Sequence, residues 1–217
     1  MVSPIQPMPL VRVPEPFNDP HWFFEPQWDG FRALAHIDRH QCRLVSRGGH
    51  IYKSWPYLAT ELGHAVRCRS AVLDGEIVCL QGDGRSHFYN LLFRRDWPYF
   101  MAFDLVALEG VDLRGQQLTE RKRLLRAIMP TVESRVRLVE HVPESGVDFF
   151  DAACRHDLEG IVAKWKEGTY QSGPRTSWLQ IRNPEYSQRE NRRELFEARR
   201  DSAWRTGRPA TPELVLQ

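Results

Sequence analysis

Lysine is scarce in this 217-residue chain. Of its 30 basic residues only four are lysine (Lys53, Lys122, Lys164 and Lys166), and the other 26 are arginine. Arginine keeps its proton at neutral pH, so chemistry that needs a lysine nucleophile has four candidates here. Cysteine is also sparse. The four cysteines (Cys42, Cys68, Cys79 and Cys154) form no CxxC pair, and no histidine cluster has zinc spacing. They read as reduced thiols rather than a disulfide or zinc framework. The N-terminus MVSPIQPMPLVRVPEPF has no basic start ahead of an apolar stretch, so it is no signal peptide. No run approaches the ~20 apolar residues that span a bilayer. A soluble, cytoplasmic protein with no membrane partner is expected. Neither GxGxxG nor GxxxxGKS is present, which removes the commonest phosphate loops. There is no internal repeat. A net charge of +2 is too small to indicate nucleic acid by itself.

What is present is a chain with 41% hydrophobic residues, enough for a globular core. Six of its 15 prolines fall in residues 1–20, which read as an extended lead-in. Apolar stretches at 31–37 and 42–47 flank the polar DRHQ and predict a hairpin. The spacing of Leu58, Leu62 and Ala65 predicts a helix over 54–66. Strands are predicted at 71–80, 99–108, 137–142, 160–165 and 177–182. Helices are predicted over 119–129, with Thr119 as N-cap, and over 145–155. Ser187 and Glu190 form a capping-box pattern ahead of a polar helix reaching about Arg200. This mixture with short connections points to an α+β domain with antiparallel sheets. The expected organisation is a lead-in over 1–20, a domain over 21–183 and a polar tail over 184–217.

Charged residues interrupt several apolar strands. Asp74 and Glu76 lie within VLDGEIV, and Glu159 and Lys164 bracket GIVA. Arg32 follows the turn of WDG. Charge in a buried strand is costly unless it is paired or faces a polar cavity. Several such positions suggest a polar cleft between sheets. Carboxylates there could hold magnesium on a triphosphate, and Arg and Lys could hold phosphates. Taken singly, each has a plainer reading. Phe103 passes as a core aromatic and Glu159 as a turn residue. Strict alternation puts Glu159 and Lys164 on opposite faces, so they share a cleft only if Glu159 lies in the turn before the strand.

The order of these segments resembles the nucleotidyltransferase (adenylation) domain of ATP-dependent DNA ligases, in its short bacterial stand-alone type. The resemblance rests on Glu25-Pro26-Gln27-Trp28-Asp29-Gly30-Phe31-Arg32, Ser46-Arg47-Gly48-Gly49, Asp74-Gly75-Glu76, Phe103-Asp104-Leu105, Glu159 to Lys164, and Ser177 to Arg182. It implies the ATP-grasp-like α+β fold shared with mRNA capping enzymes, with antiparallel sheets around a nucleotide cleft. It implies ATP and Mg2+ as cofactors, and ATP or AMP with nicked DNA or a repair protein as partners. By position it puts Glu25 at the adenine edge, Arg32 and Glu76 at the ribose, and Phe103 on the adenine face. Arg47 falls at the 5′-phosphate or triphosphate, Glu159 and Glu76 at the metal, and Lys164, Gln180 and Arg182 at the α-phosphate.

Two departures bear on activity. The family's nucleophilic lysine falls at Gln27, and a further phosphate-facing lysine at Gln180. An amide nitrogen is delocalised into its carbonyl and does not become adenylated. The resemblance therefore implies nucleotide binding in DNA repair or recombination with impaired self-adenylation, a pseudoenzyme. An active ligase or nucleotidyltransferase using Lys164 or another lysine is one alternative; a non-catalytic nucleotide- or nucleic-acid-binding scaffold is the other. Only 35 residues follow Arg182, too few for the oligonucleotide-binding barrel of full ligases. Arg189, Arg192, Arg193, Arg199 and Arg200 in that tail read either as DNA backbone contacts or as a solvated helix face.

Overall fold

The computed structural model describes residues 5–171 and 176–188. In chain order the elements are β1 (Val11–Arg12), β2 (Asp19–Gln27), β3 (Phe31–Asp38), β4 (Gln41–Ser46), α1 (Pro56–Ala65), β5 (Ser70–Val78), α2 (Phe88–Leu92), β6 (Tyr99–Leu108), β7 (Val111–Asp112), α3 (Leu118–Ile128), β8 (Val136–Leu138), β9 (Val142–Glu144), α4 (Gly146–Arg155), β10 (Gly160–Trp165) and β11 (Trp178–Arg182). They build two sheets, β1-β11-β10-β2-β9 and β4-β3-β5-β6-β7, with β8 added beside β6. Pairing is antiparallel except for β1 with β11 and β6 with β8. The expected α+β architecture with antiparallel sheets is present, and the described residues include no closed barrel.

The first sheet shows why a polar cleft forms. Glu25 pairs with Val162 and Gln27 with Gly160 across β2 and β10. Val162 in turn pairs with Gln180, and Lys164 with Trp178, across β10 and β11. Side chains alternate along a strand, so Phe23, Glu25, Gln27, Val162, Lys164, Trp178, Gln180 and Arg182 share one face. On the other face Phe24, Ile161, Ala163 and Ile181 are fully buried, with Ala153, Phe149 and Phe150 of α4 packed on them. Each fully buried side chain of this size contributes roughly 1.5–3 kcal/mol. The apolar half of the alternation thus fastens the sheet to α4 and leaves the polar half turned toward the second sheet. Contact between the sheets runs through Val162 and Trp178, which pack with Val106, Val72 and Phe103.

The second sheet buries its far face under α1 and α3, where Leu58, Leu62, Leu125 and Ile128 meet Leu73, Ile77 and Leu105. Pro56 opens α1, a position where a missing N–H costs nothing. The register of β5 with β6 shifts twice. Asp74 faces Asp104 while Gly75 faces Ala102, and Val72 faces Ala107 while Leu73 faces Leu105. Phe103 and Val106 are therefore extra residues at β-bulges, which re-aim side chains. Both point into the intersheet cluster.

Local differences from the sequence reading have physical reasons. The segment ahead of the WDG turn is a nine-residue strand, β2, despite Pro20 and Pro26. The lead-in contributes β1, and Met8 is fully buried. The expected strand over 137–142 is two short strands, because the chain leaves β6 and crosses to β2. Helix α3 starts after Gln117, not Thr119, whose backbone N–H donates instead to Lys166 O (3.1 Å). Ser187 bonds Asp157 through both its backbone N–H and its hydroxyl. The rest of the expected tail helix, from residue 189, lies outside the described residues.

Candidate nucleotide site

The centre of the cleft is a buried carboxylate between two lysines. Lys164 Nζ stands 2.7 Å from Glu25 Oε2. Lys122, reaching in from α3, pairs with Glu25 Oε1. All three are at least 95% buried, so the group carries one net positive charge away from water. Lys164 Nζ also lies over two rings, 4.0 Å from the Trp178 centroid and 4.3 Å from that of Phe103. Burial first, with Lys122 adding to it, lowers the Lys164 pKa to about 8 against the opposing pull of Glu25 and Asp104. His141 packs on Phe23 at 3.9 Å between ring centroids. Burial first, and then Lys122, push its pKa below the usual histidine value.

A second charged layer lies beside this one. Arg32 grips Asp74 with two hydrogen bonds, Nε to Oδ1 at 3.0 Å and Nη2 to Oδ2 at 2.7 Å, and donates through Nη1 to Met8 O at 2.7 Å. Tyr170 OH donates to Asp74 Oδ2 at 2.6 Å. Asp74 is thereby fully engaged and buried. The Arg32 guanidinium lies 5.5 Å from the Phe103 ring centroid and 5.4 Å from that of Trp178. Phe103 thus packs against the edge of Trp178 and carries two cations, Arg32 and Lys164. Arg121 and Asp104 form a third pair, bidentate at 2.9 and 2.8 Å and fully buried, which fixes α3 to β6 and so positions Lys122.

At the other end of the face, Gln27 ends β2. Its Oε1 is buried and has no hydrogen-bond partner among the described residues, and the same holds for the neighbouring Trp28 Nε1. Gln180 is buried, and its Oε1 accepts from Arg182 Nε at 3.0 Å. Asp29 is held by Tyr186 OH at 3.0 Å. Glu159 lies in the bend just before β10, and Gly160 takes a φ of +148° there. That is the turn required for Glu159 and Lys164 to share a cleft. Glu76 faces Arg32 across β3 and β5. Arg47 is exposed in the loop after β4.

The structure therefore gathers Glu25, Gln27, Lys164, Gln180 and Arg182 on one face, with Arg32 and Phe103 opposite. Lys122 and His141 join them without any motif to announce them. Lys122 was visible only as one of four scarce lysines. The other two lysines lie elsewhere: Lys53 is exposed, and Lys166 bonds Pro20 O and lies 5.0 Å over Phe23.

Two sheets that face each other across this charged and aromatic lining have the architecture of a DNA ligase nucleotidyltransferase domain. The chain belongs to the ATP-dependent DNA ligase domain family, whose pattern it matches over residues 10–182. It is 35% identical over 162 residues to the multifunctional non-homologous end joining DNA repair protein LigD of Mycobacterium tuberculosis strain H37Rv, covering 73% of this chain and 21% of that protein. It is 27% identical over 192 residues to the SPbeta prophage-derived DNA ligase-like protein LigB of Bacillus subtilis, covering 85% and 69%. The chain thus spans about a fifth of the LigD relatives' length. Among solved structures, a mycobacterial DNA ligase D complexed with ATP and MES superposes with a TM-score of 0.69 at 31% identity, over 82% of this chain and 60% of that one. Chlorella virus DNA ligase-adenylate superposes at 0.60 with 15% identity, over 82% and 67%, a likeness of fold alone.

Proposed function

We propose that this chain is an adenylation-type domain that binds ATP or AMP in DNA repair and is impaired in forming a covalent adenylate on itself. One observation carries the reading: the cleft position of the family nucleophile holds Gln27. Its side chain lies on the face shared with Glu25, Lys164 and Gln180, with its carbonyl oxygen buried and unpartnered. A buried polar atom of that kind favours a hydrogen-bonding ligand. The amide has no available lone pair for attack on the α-phosphate. Nucleotide binding is supported further by the likeness to a ligase crystallised with ATP.

In this reading Phe103, backed by the buried Trp178, forms the apolar wall for the base, and Glu25 stands at its edge. Arg32 and Glu76 line the sugar. Lys164, Gln180 and Arg182 meet the α-phosphate, and Arg47 a 5′-phosphate. Magnesium fits on limited terms. No three acidic, histidine or cysteine side chains converge among the described residues, so the protein alone offers no cage. Magnesium needs only one or two carboxylates when phosphates complete its shell. Glu76 and Glu159 would hold it, and bound there it would neutralise charge on the phosphates. Nicked DNA, or a repair protein, is the partner class this reading implies, in the cytoplasm.

The test is incubation with α-labelled ATP and magnesium, followed by a search for acid-labile, alkali-stable label on the protein. The expected result is calorimetric binding of ATP with no appreciable label, and robust label overturns the impairment. A second reading, adenylation of a substitute lysine, is favoured by the low pKa of Lys164 and by its position beside Lys122. It requires label that maps to Lys164 or Lys122 and increases as pH rises through about 8. The absence of measurable ATP binding would leave only a non-catalytic scaffold.

A further inference from the structure

Away from the cleft, five side chains from three separate segments meet at the surface, where Tyr57, Trp97 and Arg137 are exposed and Tyr99 and Arg135 half-buried. Tyr57 of α1 is 70% exposed and Trp97, in the approach to β6, is 54% exposed, large values for aromatic rings. Their rings meet edge to face at 5.2 Å. Arg135, just before β8, donates from Nη1 to Trp97 O at 2.7 Å. Its guanidinium also lies 4.8 Å from the centroid of Tyr99, the first residue of β6. Arg137 of β8 lies 4.7 Å from the same centroid, so two guanidiniums share one ring.

This surface is rigidly supported. Phe100 N–H donates to Arg135 O at 2.8 Å, and β8 is paired in parallel with β6. Glu61 accepts Ser134 Oγ and the Arg135 backbone N–H, both at 2.7 Å, and so holds the approach to β8. Two nearby carboxylates, Glu61 and Asp96, are directed to backbone and hydroxyl donors. Asp96 accepts Trp97 N–H at 2.7 Å. Neither Arg135 nor Arg137 has a carboxylate partner among the described residues, in contrast to Arg32, Arg114, Arg121, Arg123 and Arg126.

We propose that Tyr57, Trp97, Tyr99, Arg135 and Arg137 form a binding surface for single-stranded nucleic acid. The exposed rings of Tyr57 and Trp97 offer sequence-independent stacking to unpaired bases, while Tyr99 holds two guanidiniums that have no carboxylate partner among the described residues and offer donors to phosphates. A duplex keeps its bases stacked internally and could use only the two arginines, so the rings make single strands the better match. Tyr99 packs with Val78, Met101 and Val139 in the apolar cluster that also receives Trp28, the neighbour of Gln27. The surface thus shares an apolar cluster with Trp28 and uses none of the residues assigned to nucleotide. The inference does not rest on nucleotide binding.

The test uses the full chain, a fluorescent oligothymidylate of about twelve nucleotides, and a duplex of the same length, with anisotropy read over a series of salt concentrations. The single strand should bind more tightly than the duplex. Trp97→Ala should weaken single-strand binding at least about fivefold, and Arg135→Ala/Arg137→Ala should lower the slope of log K against log salt by about 1.4. Arg135→Lys/Arg137→Lys should restore most of that slope. Circular dichroism melts and ATP calorimetry on each variant should match wild type, which separates this surface from the cleft. The proposal is overturned if wild type does not bind the single strand, if duplex binds equally well, or if neither variant changes affinity. It is also overturned if wild type sediments as a dimer that Trp97→Ala dissociates, for the surface would then seat a second copy.

Discussion

Lys164 and Lys122 reach the two oxygens of one carboxylate, Glu25, the first from β10 and the second from α3. Glu25 belongs to a motif that family resemblance ties to the nucleotide base. In the structure described here its charge is shared by two buried ammonium groups. The pocket is therefore organised as much by its own ion pairs as by any ligand.

Restoring the nucleophile should restore labelling only in part. Gln27→Lys supplies an amine, but Gln180 still offers a neutral donor, and one charge-assisted hydrogen bond is worth about 1.5–3 kcal/mol. The single variant should take up little label from α-labelled ATP. Gln27→Lys/Gln180→Lys should take up more, even though the second lysine stands beside Arg182. Equal label in both would show that Gln180 is harmless.

The stability of the chain should carry the signature of Lys164 at alkaline pH. Its folded pKa is about 8, against 10.5 for an ordinary lysine. Between these values the unfolded chain binds more protons, so this group makes folding more favourable as pH rises, and its penalty is complete below about 8. Cys42 and Cys79, pushed up by burial to about 12, act in the opposite sense over alkaline pH. The measurement is therefore the difference in urea midpoint between wild type and Lys164→Met. Wild type should gain on the variant from pH 8 to 10.5; a constant difference would refute the assignment.

Asp104→Asn should be severely destabilising. It leaves the Arg121 guanidinium, 0% exposed, without its counter-charge. Breaking a buried pair from one side costs about 3–5 kcal/mol. Asp104→Asn/Arg121→Met should recover part of that loss in urea unfolding, and no recovery would show that the pair is not the cause.

Gly160→Ala tests the turn that carries Glu159. The position has φ +148°, and an added Cβ would lie 2.1 Å from Ile181 O. A conformation of this kind costs about 1–3 kcal/mol for a residue with a side chain, and the clash adds to it. The melting temperature should fall by several degrees. ATP affinity should fall as well if Glu159 helps to hold magnesium.

Much of the second sheet was legible because its strands are continuous apolar runs: the segment 99–108 coincides with β6. The hidden parts have particular causes. β2 contains two prolines and a run of aromatic and charged residues, so neither alternation nor composition marks it. The bulge at Phe103 arises from pairing with β5 and cannot be seen in YFMAFDLVAL alone. The break between β8 and β9 reflects a crossing between sheets, which no local period encodes. In the site, the motif residues were readable from their order, whereas Lys122 and His141 carry no motif and were found only in space.

The sequence by itself determined the chemistry each position can offer: an amide at 27, carboxylates at 25, 76 and 159, and an amine at 164. These are covalent facts, and their order along the chain is enough to place it in its family. Only the tertiary structure decided who neutralises whom. Burial removes water as a partner, so each buried charge must find another side chain, and the registers of two sheets and the anchoring of α3 to β6 select which one. That selection placed Lys164 and Lys122 on Glu25, spent Asp74 on Arg32, and left Gln27 at the end of the same face with its oxygen unpartnered.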